Sequence, residues 1–134
     1  MKWLRRFDRL AEFIRREDGS YTAEMVIWTP VFALIIGLIA DTSIIFGDQS
    51  VALQKVQYAN RSLAVGYFTP AQAQTFLQNQ IDPISPNATI SVTLNGNLYT
   101  TVVTMPTRDL TATSLVSAFG HSSVTVGAVQ MSEM

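Results

Sequence analysis

The chain has 134 residues, which is enough for one domain or for a small domain joined to one long helix. Apolar residues make up 48% of it and charged residues only 14%, against about 25% in an average soluble domain, so the composition favours a membrane protein. The net charge of −1 excludes the broad basic surface of a nucleic-acid-binding protein, and the lack of cysteine excludes a disulfide framework, thiol catalysis and Cys-ligated metal sites.

The first nineteen residues form a basic leader, with six basic side chains against four acidic ones and hence a net charge of +2. Within residues 3–16 the apolar side chains recur at steps of one, three and four, and arginines lie mostly between them. If helical, this segment would lie on a membrane surface, with its arginines near anionic lipid. A solvated helix stabilised by charge pairs such as Glu12 and Arg16 is the alternative.

A long apolar stretch follows the leader. Met25–Ala40 has no charged residue, and after Asp41 the chain is again uncharged to Gly47. A helix from Met25 to Phe46 would span about 33 Å, close to the hydrocarbon thickness of a bilayer, provided that Asp41 lies near an interface or faces protein. The basic leader predicts a cytoplasmic N-terminus. A buried helix of a soluble protein and a cleaved secretory signal are the alternatives, and the four acids of the leader disfavour the second.

Helical periodicity continues beyond the apolar stretch. We therefore predict one long helix from about Ser20 to Tyr67, apolar on all sides in its first half and amphipathic in its second. Because a half-exposed amphipathic helix needs a partner, we expect the C-terminal sheet to cover it. The predicted packing face comprises Ile45, Ala52, Val56, Ala59 and Leu63, and the same spacing extends to Tyr67.

The C-terminal part begins with a helix signal. Thr69 is a suitable N-cap, Pro70 suits the first helical position, and Gln72 stands where a capping box requires it. The helix should run to about Gln80, because two prolines follow in the segment 82–86.

A β-hairpin is predicted next. Apolar and polar residues alternate strictly from Ala88 to Leu94, and Leu98–Met105 would form the return strand. Asn95 and Gly96 suit the two positive-φ positions of a type I′ turn.

The last two predicted elements are a helix and a strand. Thr107 would cap a helix that ends at Gly120, with Ala112, Leu115, Val116 and Phe119 on one face. Ser123–Met131 would form the last strand, with a bulge at Gly127, either parallel to its predecessor or antiparallel beside the first strand. The predicted fold class is therefore α+β: a long N-terminal helix, transmembrane and then amphipathic, followed by a small αββαβ head over residues 68–134.

The sequence contains no arrangement typical of an enzyme. Its one histidine, His121, is followed by Ser122 and Ser123, but adjacent strand residues point to opposite faces and cannot form a triad. Nucleophile-elbow, phosphate-loop and zinc-binding motifs are absent, and the acidic residues lack calcium-loop spacing. We predict no catalytic residue, no cofactor and no metal site.

Glu24 stands at the start of the apolar stretch. A charged carboxylate at the centre of a bilayer is disfavoured by about 2.5–3.5 kcal/mol, and by less near an interface. Glu24 therefore either has a partner or reaches the lipid headgroups.

The segment from Gly19 to Glu24 resembles the processing site of type IV pilin-like proteins, in which a glycine precedes the cut and a glutamate is the fifth residue of the mature chain. The wider stretch Gly19–Gly66 resembles the TadE-like minor pseudopilins of the tight-adherence (Tad, or Flp) pilus system. The positions that carry this resemblance are Gly19, Glu24, Pro30, Val31–Ala40, Asp41 and Ala59-Asn60-Arg61.

This resemblance implies cleavage between Gly19 and Ser20 by a membrane prepilin peptidase at the cytoplasmic face. It further implies that Glu24 pairs with the new Ser20 amine of a neighbouring subunit, and that Pro30 kinks the helix. Met25 departs from the family pattern, which usually has an aromatic residue there.

The function implied is that of a minor pilin-like subunit for assembly of an adhesive pilus. It would reside in the bacterial cytoplasmic membrane as a single-pass protein, with its C-terminus outside, and would either stay there or join a surface pilus. Its implied partners are the prepilin peptidase, other pilin subunits through the N-terminal helix, the Tad inner-membrane assembly platform and membrane lipid. The alternative is a membrane-anchored periplasmic binding or scaffold module, neither processed nor part of a filament.

Overall fold

The computed structural model describes residues 18–133. The predicted surface helix at residues 3–16, and most of the leader, lie outside the described residues. The chain divides into two compact units, one ending at Ile36 and the other comprising Gly37–Met134. The fold class is α+β, with one long apolar N-terminal helix and a three-stranded antiparallel sheet.

The long helix α1 (Asp18–Ala64) has 47 residues. It ends three residues before the predicted boundary, because the chain reverses at Gly66, whose φ of 77° is accessible to glycine at little cost. The Gly66 N–H donates to the Leu63 carbonyl at 3.1 Å and the Tyr67 N–H to the Ser62 carbonyl at 2.8 Å. Tyr67 is consequently 83% exposed and does not extend the packing face, contrary to the prediction from spacing.

Helix α2 (Pro70–Ile81) begins where the sequence predicted. The Gln72 N–H donates to the Thr69 hydroxyl at 3.3 Å, and the Thr69 N–H donates to the Gln72 side-chain oxygen at 3.0 Å, which completes the capping box. Ala73, Leu77 and Ile81 are buried on one side of this helix.

The sheet consists of β1 (Thr89–Asn95), β2 (Leu98–Pro106) and β3 (Ser123–Met131), in that spatial order. Both pairs of neighbouring strands are antiparallel. The last strand, β3, pairs antiparallel with β2, so it is neither parallel to its predecessor nor beside the first strand, and both predicted placements are wrong. Thr107 closes the connection between β2 and β3. Its N–H and hydroxyl both donate to the Ser122 carbonyl, at 3.0 and 2.7 Å, and so bring the two ends of the connection together beside one strand.

Two local details of the sheet also differ from the predictions. The loop of the hairpin is Gly96-Asn97, because Asn95 still pairs with Leu98 in the ladder. Among the described residues of this loop only Gly96 has positive φ, at 62°, which matches a type II′ turn rather than type I′. The predicted bulge at Gly127 is wrong as well, since the register of β3 runs continuously through this residue.

The segment predicted as a helix from Thr107 to Gly120 is mostly not helical. A 3₁₀ turn at Thr107–Asp109 is followed by irregular chain and then by the single turn α3 (Leu115–Ala118). Ser114 interrupts the segment with a φ of 60°. The regular helix is lost because a carboxylate on α1 binds the backbone N–H groups here, as described below.

The sheet and α2 enclose a core with the second half of α1, as the amphipathic pattern predicted. Three buried residues of α1 face the buried side chains of all three strands. The central members of this core are Ala52, Val56, Ala59, Leu77, Ile81, Ile90, Val103, Met105, Leu110 and Val126. A smaller buried cluster joins Leu63 of α1 to Ala73 and Tyr99.

Candidate functional site

The N-terminal part of α1 presents an apolar surface without cover. Every residue from Tyr21 to Ile36 is exposed, and large side chains such as Ile27 and Ile36 are 69% and 66% exposed. A helix of this length and composition is able to cross a membrane, and it is the one such helix among residues 18–133. The structure thus supports a membrane span at the level of length and composition.

The hydroxyl groups within and just after this apolar stretch are satisfied inside the helix. Thr29 donates to the Met25 carbonyl at 2.7 Å, Thr42 to the Leu38 carbonyl at 2.7 Å, and Ser43 donates in the same way one turn back. Such bonds remove the need for water as a partner, which a lipid environment does not supply.

The residues of the implied processing site lie at the beginning of α1. Gly19 and Ser20 are both helical, and the helix continues without interruption through Pro30. Pro30 has no N–H for the Val26 carbonyl, so one hydrogen bond of the helix ladder is missing at this point.

Glu24 lies in a shallow apolar groove of about 420 Å³ on the first compact unit. The groove is otherwise lined by Tyr21, Met25, Trp28 and Phe32, and the rings of the last two are 6.2 Å apart between centroids. Among residues 18–133, no side chain forms an ion pair with Glu24. The groove therefore combines an aromatic surface with a carboxylate that has no ion-pair partner in the described part of the chain.

Asp41 is fully buried in the second unit and binds the irregular segment between Leu110 and Gly120, which we call the Asp41 loop. One carboxylate oxygen accepts from the backbone N–H groups of Ala112 and Thr113, at 3.1 and 2.8 Å. The other accepts from the Thr113 hydroxyl at 2.8 Å and from the N–H groups of Leu115 and Val116, at 2.9 and 3.3 Å. The charge of Asp41 is thus stabilised by five hydrogen-bond donors, and among residues 18–133 no cationic side chain pairs with it.

Asn60 forms a second polar connection between α1 and the sheet. It is fully buried, its amide nitrogen donates to the Ala128 carbonyl at 2.8 Å, and its side-chain oxygen accepts from the Thr101 hydroxyl. Asn60 is not among the residues of the predicted packing face, yet it is buried with them. A lone asparagine between Ala59 and Arg61 gives no signal that distinguishes a buried amide from an exposed one.

Asp109 fixes the chain entering β1 to the 3₁₀ turn. Its carboxylate accepts from the Ser85 hydroxyl at 2.7 Å, from the Asn87 N–H at 3.2 Å and from the Asn87 side-chain amide. Burial by itself would raise the pKa of Asp109, but these hydrogen bonds and the charge of Arg108 outweigh it and hold the pKa below its ordinary value.

Comparison of the chain with protein-family models, curated proteins and solved structures finds no match.

The predicted packing face of α1 is occupied within the chain. Ala52, Val56, Ala59 and Leu63 are completely buried against the sheet and α2, and Ile45 packs at the edge of the same core. The continuous exposed apolar surface of α1 lies instead before Gly37, and Ile39 and Phe46 beyond it are also exposed.

Sequence reasoning recognised Asp41 as the charge that interrupts the apolar stretch, but not its partners. Those partners are backbone N–H groups more than 70 residues away. The one available signal was the burial cost of an isolated carboxylate, which requires partners of some kind without identifying them.

Proposed function

We propose that this chain is a minor pilin-like subunit that serves in assembly of an adhesive pilus of the Tad or Flp kind. In this proposal a prepilin peptidase cuts between Gly19 and Ser20, and the mature protein of 115 residues stays in the cytoplasmic membrane or enters the filament through α1. It has no catalytic activity of its own. The head stands outside the membrane.

The observation that carries the proposal is the position of Glu24 in an uncovered aromatic groove at the start of the apolar helix. In lipid, an exposed carboxylate in such a surface is costly unless a cation joins it. Cleavage before Ser20 creates a primary amine one helical turn from Glu24 along the sequence. The amine of a neighbouring mature chain supplies the charge that Glu24 lacks.

Helix-to-helix packing would then be guided by this pair. The aromatic side chains of Trp28 and Phe32 offer the apolar contact area, and the ion pair sets the axial position of one helix against the next. A buried ion pair fixes the axial register of two helices more than it stabilises their contact, because the desolvation of both charges offsets much of their attraction.

We place the outer boundary of the span at Asp41, before the end at Phe46 that the sequence predicted. The 20 residues from Tyr21 to Ala40 would measure about 30 Å as a helix, which equals the hydrocarbon thickness. Asp41, with its five hydrogen bonds, then stands at the outer boundary, and the remainder of α1 belongs to the head. This assignment keeps the Asp41 carboxylate out of the hydrocarbon region.

Mass spectrometry of the protein purified from cells with active prepilin peptidase tests the proposal. We expect a mature chain that begins at Ser20. The variant Gly19→Val should accumulate uncut, since a branched side chain restricts the extended backbone that a protease cleft requires. Gly47→Val is the matched control, because a side chain at Gly47 meets no atom within 4 Å, and this variant should be cut normally. A wild-type chain found intact from Met1 would refute processing and favour the anchored periplasmic module instead.

A further inference from the structure

The Asp41 loop is held beside the end of the apolar stretch of α1. Four backbone N–H groups of the loop donate to the Asp41 carboxylate. Leu115 packs against α1 at Gly37, one helical turn before Asp41. A Cβ placed on Gly37 would lie only 2.5 Å from the Leu115 Cδ1 atom, so the lack of a side chain at Gly37 makes this contact possible. A side chain of the head thus lies alongside a residue of the uncharged stretch Met25–Ala40.

The exposed residues of this loop carry no charge and include a large apolar side chain, beside the hydroxyl groups of Thr113 and Ser114. Phe119 is 75% exposed, and Leu115 and Val116 are partly exposed at the same turn. The sequence from Leu110 to Ser132 contains no aspartate, glutamate, lysine or arginine. No charge of the loop or of β3 therefore opposes contact with hydrocarbon.

We propose that the Asp41 loop enters the outer interface of the membrane that α1 spans, with Phe119 as its apolar anchor. This inference rests on the membrane span of the proposed function. The occupant of the surface is lipid, because Leu115 lies level with Gly37, inside the stretch that the bilayer surrounds. An interfacial segment with exposed phenylalanine and leucine and no charge is stable at the boundary between headgroups and acyl chains.

In this proposal Phe119 gives the head an apolar contact with lipid in addition to the span. The Asp41 carboxylate supports this contact, because it holds the loop beside Gly37 within the second unit.

Spin-label accessibility in the full chain tests this proposal, since the protein has no cysteine and each introduced cysteine is the sole labelling site. Three single variants are reconstituted in phosphatidylethanolamine–phosphatidylglycerol vesicles: Gly120→Cys beside Phe119, Ile36→Cys on the apolar surface, and Ser91→Cys on the exposed face of β1. A side chain at Gly120 meets no atom within 4 Å, so Phe119 stays in place. Collision rates with oxygen, which prefers lipid, are compared with those of a water-soluble nickel complex.

We expect oxygen collisions to exceed nickel collisions at positions 36 and 120, and the reverse at position 91. Adding Phe119→Ser to the Gly120→Cys variant should raise nickel collisions at position 120 severalfold and leave position 36 unchanged. Nickel access at position 120 with lipid contact at position 36 would overturn the inference alone. Shielding of position 120 from both reagents would mean that protein covers the loop, and would overturn it too. Nickel access at position 36 would refute the membrane span and the inference with it.

Discussion

Asp41 and Thr113 are 72 residues apart in sequence and are joined by two hydrogen bonds, from the Thr113 N–H to one carboxylate oxygen and from its hydroxyl to the other, each 2.8 Å long. This two-point contact fixes the orientation of the carboxylate. The carboxylate also accepts hydrogen bonds from the backbone N–H groups of Ala112, Leu115 and Val116. One side chain of α1 thereby determines the course of the Asp41 loop.

Replacing Asp41 should release this loop while the sheet stays intact. In Asp41→Asn one acceptor oxygen becomes an amide that faces N–H donors, so the loop loses several charge-assisted bonds. We expect the amides of residues 112–116 to exchange about tenfold faster or more, with unchanged exchange in β1 and β2. Hydrogen–deuterium exchange with mass spectrometry measures this. Asp48→Asn, which removes a carboxylate from the same helix, is the control, and equal exchange in both variants would contradict the role of Asp41.

Asn60 and Thr101 should behave as a coupled pair. Asn60→Ala leaves the Thr101 hydroxyl and the Ala128 carbonyl unpaired in the core, and should lower the free energy of unfolding by about 2–3 kcal/mol. Adding Thr101→Val removes one of these orphans, so the double variant should be less destabilised than the sum of the two single variants. Urea unfolding in detergent, followed by near-ultraviolet circular dichroism, gives the values. Gln57→Ala on the exposed side of α1 should change stability by less than about 0.5 kcal/mol, and strict additivity would argue against the pair.

The hairpin turn requires positive φ at Gly96, and this has a measurable consequence. Gly96→Ala should destabilise the head by about 1–2 kcal/mol, because alanine is strained at positive φ. A Cβ at this position meets no atom within 4 Å, so backbone strain is the whole cost. Gly120→Ala is the matched control, since a Cβ at Gly120 also meets open space and its φ is not positive. The same urea titration compares the two. Equal stability of both variants would show that the turn does not adopt the type II′ conformation.

Asp109 should make the head sensitive to acid. Its folded-state pKa lies below the unfolded value of about 3.9, so its stabilising contribution is complete above that pH and is lost as pH falls through the folded pKa. The melting temperatures of wild type and Asp109→Asn should therefore differ by a constant amount above about pH 5 and converge below about pH 4. Thermal unfolding across this range measures the difference. A gap that widens on acidification would contradict the direction of the pKa shift.

Glu24 provides the decisive variant for assembly. Under the proposed function, Glu24→Ala should insert in the membrane and be processed normally, but should abolish surface pili or reduce them severalfold, because the amine of the adjacent subunit loses its partner. Electron microscopy of surface filaments and cross-linking to other pilins measure this. Glu133→Ala, which removes an exposed carboxylate from the end of the head, should leave assembly unchanged. Normal pili with Glu24→Ala would support the periplasmic module.

Local signals predicted most of the elements of this fold. The capping box at Thr69 located α2, and alternation located both strands of the hairpin, because in each case the stabilising contacts are made by residues near in sequence. The amphipathic half of α1 predicted which of its residues the sheet would cover, since burial of an apolar face depends only on its spacing.

The predictions from sequence are wrong where a group distant in sequence competes with the local preference for a secondary structure. Residues 112–119 have the spacing of a helix, yet four of their N–H groups bind a carboxylate that is already desolvated on α1. These bonds outweigh the gain from a regular helix. The position of β3 likewise depends on partners outside the strand, since it pairs with β2 along its whole length and the Thr107 hydroxyl bonds the Ser122 carbonyl.

The sequence by itself determined the long apolar helix, the α+β composition and the residues that resemble a pilin processing site, because these follow from hydrophobic periodicity and short-range spacing. Only the tertiary structure decided the partners of Asp41, the burial of Asn60 and the order of the strands. The physical reason is that a buried polar group must find a partner, while the residue that supplies it is selected by the packing of the whole chain.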